Sequence, residues 1–196
     1  MNMPSRHALW PGSAVGRGSA WLGNCPYYLV SNRPAGKASA DLTGADRVAV
    51  PAVGVSVQSR ILQWASAKLW GDKEFAKLDR ISVAVPHPEA TAAIIKGGTE
   101  ITAHFGNPPF QDQELAENPN AHVVLSSYDV QGGPASSTVL YGTERFYRDS
   151  PKTYAAFLDA LDEAAKFVTE NPEKAADIYI KASNSRIDRD LLLKVI

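Results

Sequence analysis

The sequence predicts an α/β protein: a lobe built on a parallel sheet with flanking helices, followed by a group of C-terminal helices. Two patterns predict this fold. From residue 27 to about residue 130, short β-branched apolar segments alternate with segments of helical periodicity, which is typical of parallel βαβ units. After residue 146 only helical patterns follow. Hydrophobic residues make up 44% and charged residues 21% of the chain, a composition typical of globular domains.

Strands and helices are predicted in the following order. Each strand is a short apolar run bounded by proline, glycine or polar residues, and we place the strands within residues 27–34, 47–50, 80–86, 100–105, 121–129 and 136–146. Apolar residues at helical spacing after residue 55 predict a helix that Gly71 ends. Later helices are placed at residues 87–96, 107–120, 151–170, 172–182 and from about residue 188.

The C-terminal helices begin with recognisable caps. Ser150-Pro151 and Asn171-Pro172 each combine an N-cap residue with a proline in the first turn. The helix after Pro151 carries one apolar stripe, which requires a partner surface. That stripe consists of Tyr154, Phe157, Leu158, Leu161, Ala165 and Val168.

Charge and cysteine content exclude several classes of function. The net charge is −1 and the basic residues are scattered, so we predict no nucleic-acid partner. Cys25 is the single cysteine, which excludes an intrachain disulfide and a cysteine-rich zinc site. The glycines and lysine of a phosphate-binding loop are missing, and we expect no cofactor. No stretch reaches the roughly 18 consecutive apolar residues of a membrane span.

Residues 1–24 are predicted to form an irregular N-terminal arm, because glycine, serine and proline recur there without a strand or helix period. Arg6 supplies a positive charge, but Pro11, Gly12 and Gly16 interrupt the apolar region that a signal peptide requires. No export signal is therefore predicted in this chain.

The stretch VAVPAVGVSVQSRI, residues 48–61, marks a strand that turns into a helix. In parallel sheets, ligands bind beyond the carboxyl ends of the strands, where helix N-termini present free N–H groups. We predict a ligand-binding corner formed by Gly54, Val55, Ser56, Val57 and Gln58. Plain N-capping by Ser56 is the competing interpretation. A nucleophile elbow is a weaker one, because the second glycine of G-x-S-x-G is missing.

Two further strand ends carry polar residues that we predict to line the same rim. The segment AVPHPEAT places His87 at the start of a helix, and AHFGNPPF places Asn107 and Pro108 just beyond a strand. His87 is alternatively a turn residue, and His104 a strand residue that faces a helix. The histidines never lie four residues apart on one helix, so we predict no metal site. Because no plausible nucleophile or cofactor loop is recognisable either, we predict no catalytic residue.

Three segments in order, rather than any one motif, resemble a known family. They are KASADLTGADRVAVPAVGVSVQSRILQWASAKLWG, SVAVPHPEATAAIIKGGTEITAHFGNPPF and TVLYGTERFYRDSPKTYAAFLDALDEAAKFVTENPEKAADIYI. From Tyr27 to Ile196 the chain resembles the ABC-transporter substrate-binding proteins of the nitrate/sulfonate/taurine and thiamine-precursor group, which are type II periplasmic binding proteins. In that family a segment similar to DLTGADRVAVP opens the second lobe, and NP-E-x-A-A lies in a closing helix.

The resemblance implies a two-lobed receptor in the periplasm that closes on a small molecule and delivers it to an ABC permease. A sulfonate, nitrate, taurine or a pyrimidine-like compound is the implied ligand. Because this chain carries no recognisable export signal, a cytoplasmic location is the alternative.

Family members are nearly twice this length, so we expect the first half of lobe one to be missing. The implied segments are the arm at residues 1–24, a first hinge strand at 25–36, a complete second lobe at 37–135, and a return hinge strand with C-terminal helices at 136–196. Those helices are expected to leave their apolar stripe uncovered and to favour self-association.

Solute binding without catalysis is the function that we predict. An enzyme on the same lobe architecture, similar to a pyrimidine synthase of the thiamine pathway, is the alternative from another class; in it a histidine is consumed or acts as a base. A fragment without function of its own is the third interpretation.

Overall fold

The computed structural model of the chain describes residues 17–21, 24–34, 36–135 and 138–196. The described chain forms two units. One is the continuous segment Cys25–Ala135, and the other combines residues 17–21 with nearly all of the chain after residue 138. The greater part of the arm predicted at residues 1–24 lies outside the described residues.

Seven strands and eight α-helices are present in the described residues. The strands are β1 (Arg17–Trp21), β2 (Tyr28–Ser31), β3 (Val48–Val50), β4 (Ser82–Ala84), β5 (Ala103–Phe105), β6 (His122–Ser126) and β7 (Val139–Gly142). The helices are α1 (Val57–Trp70), α2 (His87–Lys96), α3 (Phe110–Glu117), α4 (Ser127–Gln131), α5 (Glu144–Asp149), α6 (Pro151–Glu170), α7 (Pro172–Ser183) and α8 (Arg189–Val195). Short 3₁₀ helices lie at Ser39–Asp41, Asp72–Glu74 and Lys77–Ile81.

The unit Cys25–Ala135 has the α/β fold that the sequence predicts, with a five-stranded, mostly parallel sheet flanked by helices. The strand order is β4-β3-β5-β2-β6. Strand β3 pairs in parallel with β4 and β5, and Val50 is opposite Ala84. The carboxyl ends of these three strands therefore meet at one edge of the sheet.

Strand β2 is the departure from the predicted parallel sheet, because it runs antiparallel to both of its neighbours, β5 and β6. The described residues between β2 and β3 contain the 3₁₀ helix Ser39–Asp41 and no α-helix. Parallel neighbours are joined by longer crossovers that usually contain an α-helix. The α2 and α3 crossovers supply such connections from β4 to β5 and from β5 to β6.

A continuous apolar core lies between the sheet and its helices. Helix α1 begins after its N-cap Ser56 and ends at Gly71, as predicted for this glycine; its backbone φ of +92° suits a residue without a side chain. The core joins side chains from β2, β3, β5 and α1, and its fully buried members include Leu29, Val48, Val50, Leu62 and Phe105.

Two predicted strands are shorter in the structure because a hydroxyl side chain caps a helix behind each of them. Strand β6 ends at Ser126, whose Oγ accepts from the backbone N–H of Tyr128 and starts α4. Strand β7 ends at Gly142, because Thr143 accepts from the N–H of Phe146 and starts α5. Such local bonds compete with the strand ladder.

The second unit contains one antiparallel strand pair and the C-terminal helices. Strand β1 lies in the segment that was predicted to be irregular. It pairs with β7, and this backbone pairing between distant segments is not indicated by the local sequence. Helix α6 has the predicted bounds, but none of its residues is buried. A small core elsewhere in this unit joins Ala176, Ile187 and Leu192.

Candidate functional site

The predicted corner lies at the carboxyl edge of the sheet, between β3 and α1. Gly54 has a backbone φ of +74°, a conformation that glycine adopts most readily. Val55 and Val57 point to solvent and are 71% and 50% exposed. The corner therefore presents a glycine and two accessible apolar side chains.

Ser56 acts as the N-cap of α1, the alternative interpretation of this residue. Its Oγ accepts from the backbone N–H of Ser59 at 3.3 Å and donates to the carbonyl of Ala52 at 2.8 Å. The Ser59 hydroxyl donates to the same carbonyl, also at 2.8 Å. Both hydroxyl protons are used inside the turn, so these two side chains hold the corner rather than offering donors outwards.

The first amides of α1 remain as donors at the corner. Within the described residues, neither the N–H of Val57 nor that of Gln58 has a protein acceptor, as expected of the first turn of a helix. These N–H groups lie at the positive end of a helix dipole. A hydrogen-bond acceptor on a ligand can bind here.

His87 joins the corner to the next strand end. It is the first residue of α2, and its Nε2 lies 3.4 Å from Nε2 of Gln58, which is buried in α1. The His87 ring stacks on the ring of Phe110 at the start of α3, with centroids 5.4 Å apart and planes 18° apart. The structure therefore brings two of the predicted residues, Gln58 and His87, into contact.

A buried chain of hydrogen bonds continues behind His87. Its Nδ1 lies 2.8 Å from Nε2 of His104, and Nδ1 of His104 lies 2.5 Å from Oε1 of Glu114. The Thr91 hydroxyl donates to the same Oε1 at 2.8 Å. His104 and Glu114 are both fully buried. His104 is thus a strand residue that faces a helix, as its alternative interpretation stated.

Burial, and then the proximity of His104, lowers the pKa of His87 from 6.5 to about 4. The His87 ring is therefore neutral at physiological pH. A neutral imidazole has one donor and one acceptor nitrogen, so the hydrogen bond at Nδ1 decides what Nε2 offers to the edge.

Asn107 and Pro108 lie in the loop between β5 and α3, at the same edge of the sheet. The side-chain amide of Asn107 donates to the carbonyl of Pro108 at 2.9 Å, while its Oδ1 is buried without a hydrogen-bond partner. The Pro108-Pro109 peptide is cis. A Cβ at Gly106 would lie 3.3 Å from Cε1 of His104, so this glycine lets the loop pack closely on the histidine.

Glu114 and Phe110 were not among the sequence-predicted site residues. Glu114 occurs in a polar helix, FQDQELAE, where an exposed carboxylate is the ordinary expectation. The signal that could have found it was His104 itself, a polar residue in a strand predicted to be buried. Such a residue requires a polar partner on the helix packed against it.

Basic side chains are found at the opposite edge of the sheet. A groove of about 410 Å³ lies there, lined by residues that include Arg33, Lys96, Gly98, Thr99, Asn118 and Asn120. Arg33 already donates to Asp46 at 2.7 Å. In contrast, residues 51–59, 85–91 and 106–113, which surround the carboxyl edge, contain no lysine or arginine.

Two further features bear on the kind of site. In the described part of the chain, no group of three or more His, Cys, Asp or Glu side chains is arranged to hold a metal ion. None of the helices within the described ranges has both the length and the apolar character needed to cross a bilayer.

Comparison with known proteins supports the fold. No protein-family model matches the sequence, and no curated protein is significantly similar to it. A solved structure of an ABC transporter from Parabacteroides distasonis superposes with a TM-score of 0.54 at 15% sequence identity. The match covers 88% of this chain and 58% of that protein, so this chain spans less than two thirds of its structural relative. The two proteins share a fold.

Proposed function

We propose that this chain is the solute-binding part of an ABC import system and captures a small polar molecule at the carboxyl edge of its sheet. The observation that carries the proposal is the meeting of three strand-to-helix connections at one edge, with His87 in contact with side chains from the other two. The fold shared with an ABC-transporter protein supports the same function. An ABC permease is the proposed partner, and the periplasm the proposed location.

The edge has what a small polar ligand requires. The unpaired N–H groups of Val57 and Gln58 can donate to the ligand, and Gly54 lets the ligand approach the backbone. His87 and Phe110 supply a stacked pair of flat rings beside these donors. Asn107 and Pro108, in the loop between β5 and α3, line the same edge of the sheet. Sulfonates, nitrate, taurine and pyrimidine-like compounds are the ligand candidates.

Binding without chemical conversion is part of the proposal. The hydroxyl of Ser56 donates to Ala52 and is not aimed at a histidine, which supports a binding role for the corner. The chain of Glu114, His104 and His87 favours a second candidate, an enzyme in which His87 acts as a base. Turnover assays on bound candidates separate the two: conversion that His87→Phe abolishes supports the enzyme.

Calorimetric titration of a pair of glycine variants tests the site. In Gly54→Val, a branched side chain at the corner is expected to weaken ligand binding at least tenfold. Gly71→Val is the matched control, because Gly71 also has a positive φ but ends α1 far from the carboxyl edge. Both glycines have a positive φ, so valine strains the backbone in both variants, and thermal unfolding measures the size of that strain in each.

The two variants decide between binding at the corner and a general effect on stability. Equal loss of affinity in Gly54→Val and Gly71→Val would attribute the loss to strain and contradict the assignment of the corner. Unchanged affinity in Gly54→Val would contradict it as well. Lack of binding by every candidate would contradict the proposed function.

A further inference from the structure

The hydrogen-bond chain behind His87 has a direction. Oε1 of Glu114 accepts from the Thr91 hydroxyl and lies 2.5 Å from Nδ1 of His104. A carboxylate only accepts hydrogen bonds, so it fixes the proton of His104 on Nδ1. With both rings neutral, Nε2 of His104 is then an acceptor, so the proton of His87 lies on Nδ1, which donates to it across 2.8 Å.

The outward nitrogen of His87 follows from this order. With its proton on Nδ1, the neutral ring has a lone pair on Nε2. The nearest polar neighbour of this Nε2 is the side-chain nitrogen of Gln58, which is a donor, at 3.4 Å. A donor nitrogen on Gln58 is the partner expected for an acceptor nitrogen on His87. Because this contact is long, a ligand donor closer to Nε2 can replace it.

Charge at the carboxyl edge disfavours anions. Residues 51–59, 85–91 and 106–113 contain no lysine or arginine, and they include the carboxylates of Glu89 and Asp112. Arg60, the next residue of α1, donates to Oε1 of Gln63 at 2.9 Å. Glu114 adds a carboxylate in the interior, and its second oxygen, Oε2, has no hydrogen-bond partner. The basic residues Arg33 and Lys96 lie at the other edge.

We propose that Glu114 and His104 hold His87 in the tautomer whose Nε2 accepts a hydrogen bond, so that the site selects an uncharged ligand with an N–H or O–H donor over nitrate and sulfonates. This inference rests on the proposed function, because it names the class of ligand for the same site. The free amides of α1 bind an acceptor atom of that ligand, and His87 binds its donor. Glu114 and His104 are positioning residues.

The tautomer is measured first, without a ligand. In ¹⁵N NMR of the full chain, Nε2 of His87 is expected to resonate as an unprotonated ring nitrogen and Nδ1 as a protonated one. The chain has four histidines, so single substitutions assign each ring. The amide of Glu114→Gln can face His104 with its acceptor oxygen or with its donor nitrogen, so this variant is expected to give a mixture of tautomers. Thr91→Val keeps the carboxylate and should not. A protonated Nε2 in the parent chain would overturn the inference.

Ligand selectivity is measured next, by calorimetry with four probes. These are 2-aminopyrimidine, its N,N-dimethyl analogue, nitrate and methanesulfonate. The amino compound is expected to bind about tenfold more tightly than the analogue that has lost its N–H donors, a difference typical of one hydrogen bond. His87→Phe keeps a ring against Phe110 but removes the acceptor, so the preference should disappear.

The outcomes separate this inference from the proposed function. Binding of an anion that Gly54→Val weakens, without binding of the amino compound, would overturn the inference and leave the proposed function standing. If Lys96→Ala, and not Gly54→Val, weakens anion binding, the anion binds at the opposite edge of the sheet. That result contradicts neither the proposed function nor the inference about the ligand class. In that case the two pyrimidines decide, and equal affinity or no binding of them overturns the inference. Failure of every probe at the Gly54 corner would contradict the function and the ligand class together.

Discussion

Glu114 shows how a single side chain sets the properties of the candidate site. It is fully buried, and one of its oxygens holds His104 and Thr91 while the other has no partner. A buried carboxylate is costly unless hydrogen bonds compensate it. Glu114 therefore needs the hydrogen-bond donors His104 on β5 and Thr91 on α2, and these two side chains need Glu114 as their buried acceptor.

Removing the Glu114 carboxylate should destabilise the protein. Glu114→Ala leaves the His104 ring and the Thr91 hydroxyl without their buried acceptor, and we expect the free energy of unfolding to fall by about 3 kcal/mol. Glu114→Gln keeps an acceptor oxygen and should cost less. Gln113→Ala is the control in the same helix, since the Gln113 side chain donates its hydrogen bond to Glu117 at the surface. Urea unfolding measures all three; a loss in Glu114→Ala no larger than in Gln113→Ala would contradict this account.

His87 should make stability depend on pH. Its pKa is about 4 in the folded chain, mainly because of burial, and 6.5 is its ordinary value. Between these values the unfolded chain binds a proton at this residue that the folded chain does not, so stability rises with pH there and is lost on acidification from 6.5 towards 4. The groups packed on His87 are Gln58, Phe110 and His104, with Glu114 behind.

Substitution isolates this dependence. Urea unfolding between pH 6.5 and about 4 measures the slope of the unfolding free energy against pH. In His87→Gln this slope should decrease by an amount that corresponds to the uptake of up to one proton on unfolding. His122→Gln serves as the control, because His122 lies near the surface and binds backbone carbonyls of Asn120 and Gly36. An unchanged slope in His87→Gln would show that His87 has no lowered pKa.

At the scale of elements, α3 is tied to β2 by one buried side chain. Oε1 of Gln111 accepts from the backbone N–H of Tyr28 at 2.8 Å, and its Nε2 donates to the carbonyl of Pro26 at 2.9 Å. The amide thus supplies both partners to the backbone where β2 begins. This contact fixes the helix that carries Glu114 and Phe110 relative to the sheet.

Gln111→Leu should loosen the start of β2. Leucine has a similar volume but leaves a partly buried N–H and a partly buried carbonyl unpaired, which is expected to cost about 2 kcal/mol of unfolding free energy. The Tyr28 amide should exchange its hydrogen faster than in the parent chain. Gln113→Leu, in the same helix but near the surface, should change neither quantity. Unchanged exchange at Tyr28 in Gln111→Leu would contradict the role of this bond.

The elements themselves were predictable where local signals are strong. Proline and cap residues gave α6 its bounds at Pro151 and Glu170, and Gly71 marked the end of α1. The antiparallel direction of β2 was missed, because strand direction is set by pairing with β5 and β6 and leaves no local pattern.

The candidate site was predictable only in part, for the same reason. The position of Gly54 and His87 at strand ends follows from the order of elements. The link from His104 to Glu114 is a tertiary contact between a strand and the helix after it, which hydrophobic periodicity does not encode. The N-cap role of the Ser56 hydroxyl was one of three interpretations that the sequence allowed, and the hydrogen bonds of the folded chain show that role.

At the scale of the whole molecule, the apolar stripe of α6 is the feature with the clearest consequence. No residue of this helix is buried, and Phe157 and Val168 are 47% and 39% exposed. Burying a large apolar side chain contributes about 1.5–3 kcal/mol, so covering several of them on a second copy is favourable. Exposed apolar patches of this kind mark association surfaces.

We therefore predict that the chain self-associates through α6 in a concentration-dependent manner. Sedimentation velocity or light scattering should show dimers or larger species, and Phe157→Glu should shift them to monomers by placing a charge in the contact. Leu69→Glu is a matched control, because Leu69 in α1 is also 47% exposed but lies outside the stripe. Leu69→Glu changes the net charge by the same amount without placing a charge in the proposed contact. A monomeric parent chain, or an equal effect of the two substitutions, would show that the stripe is not an association surface.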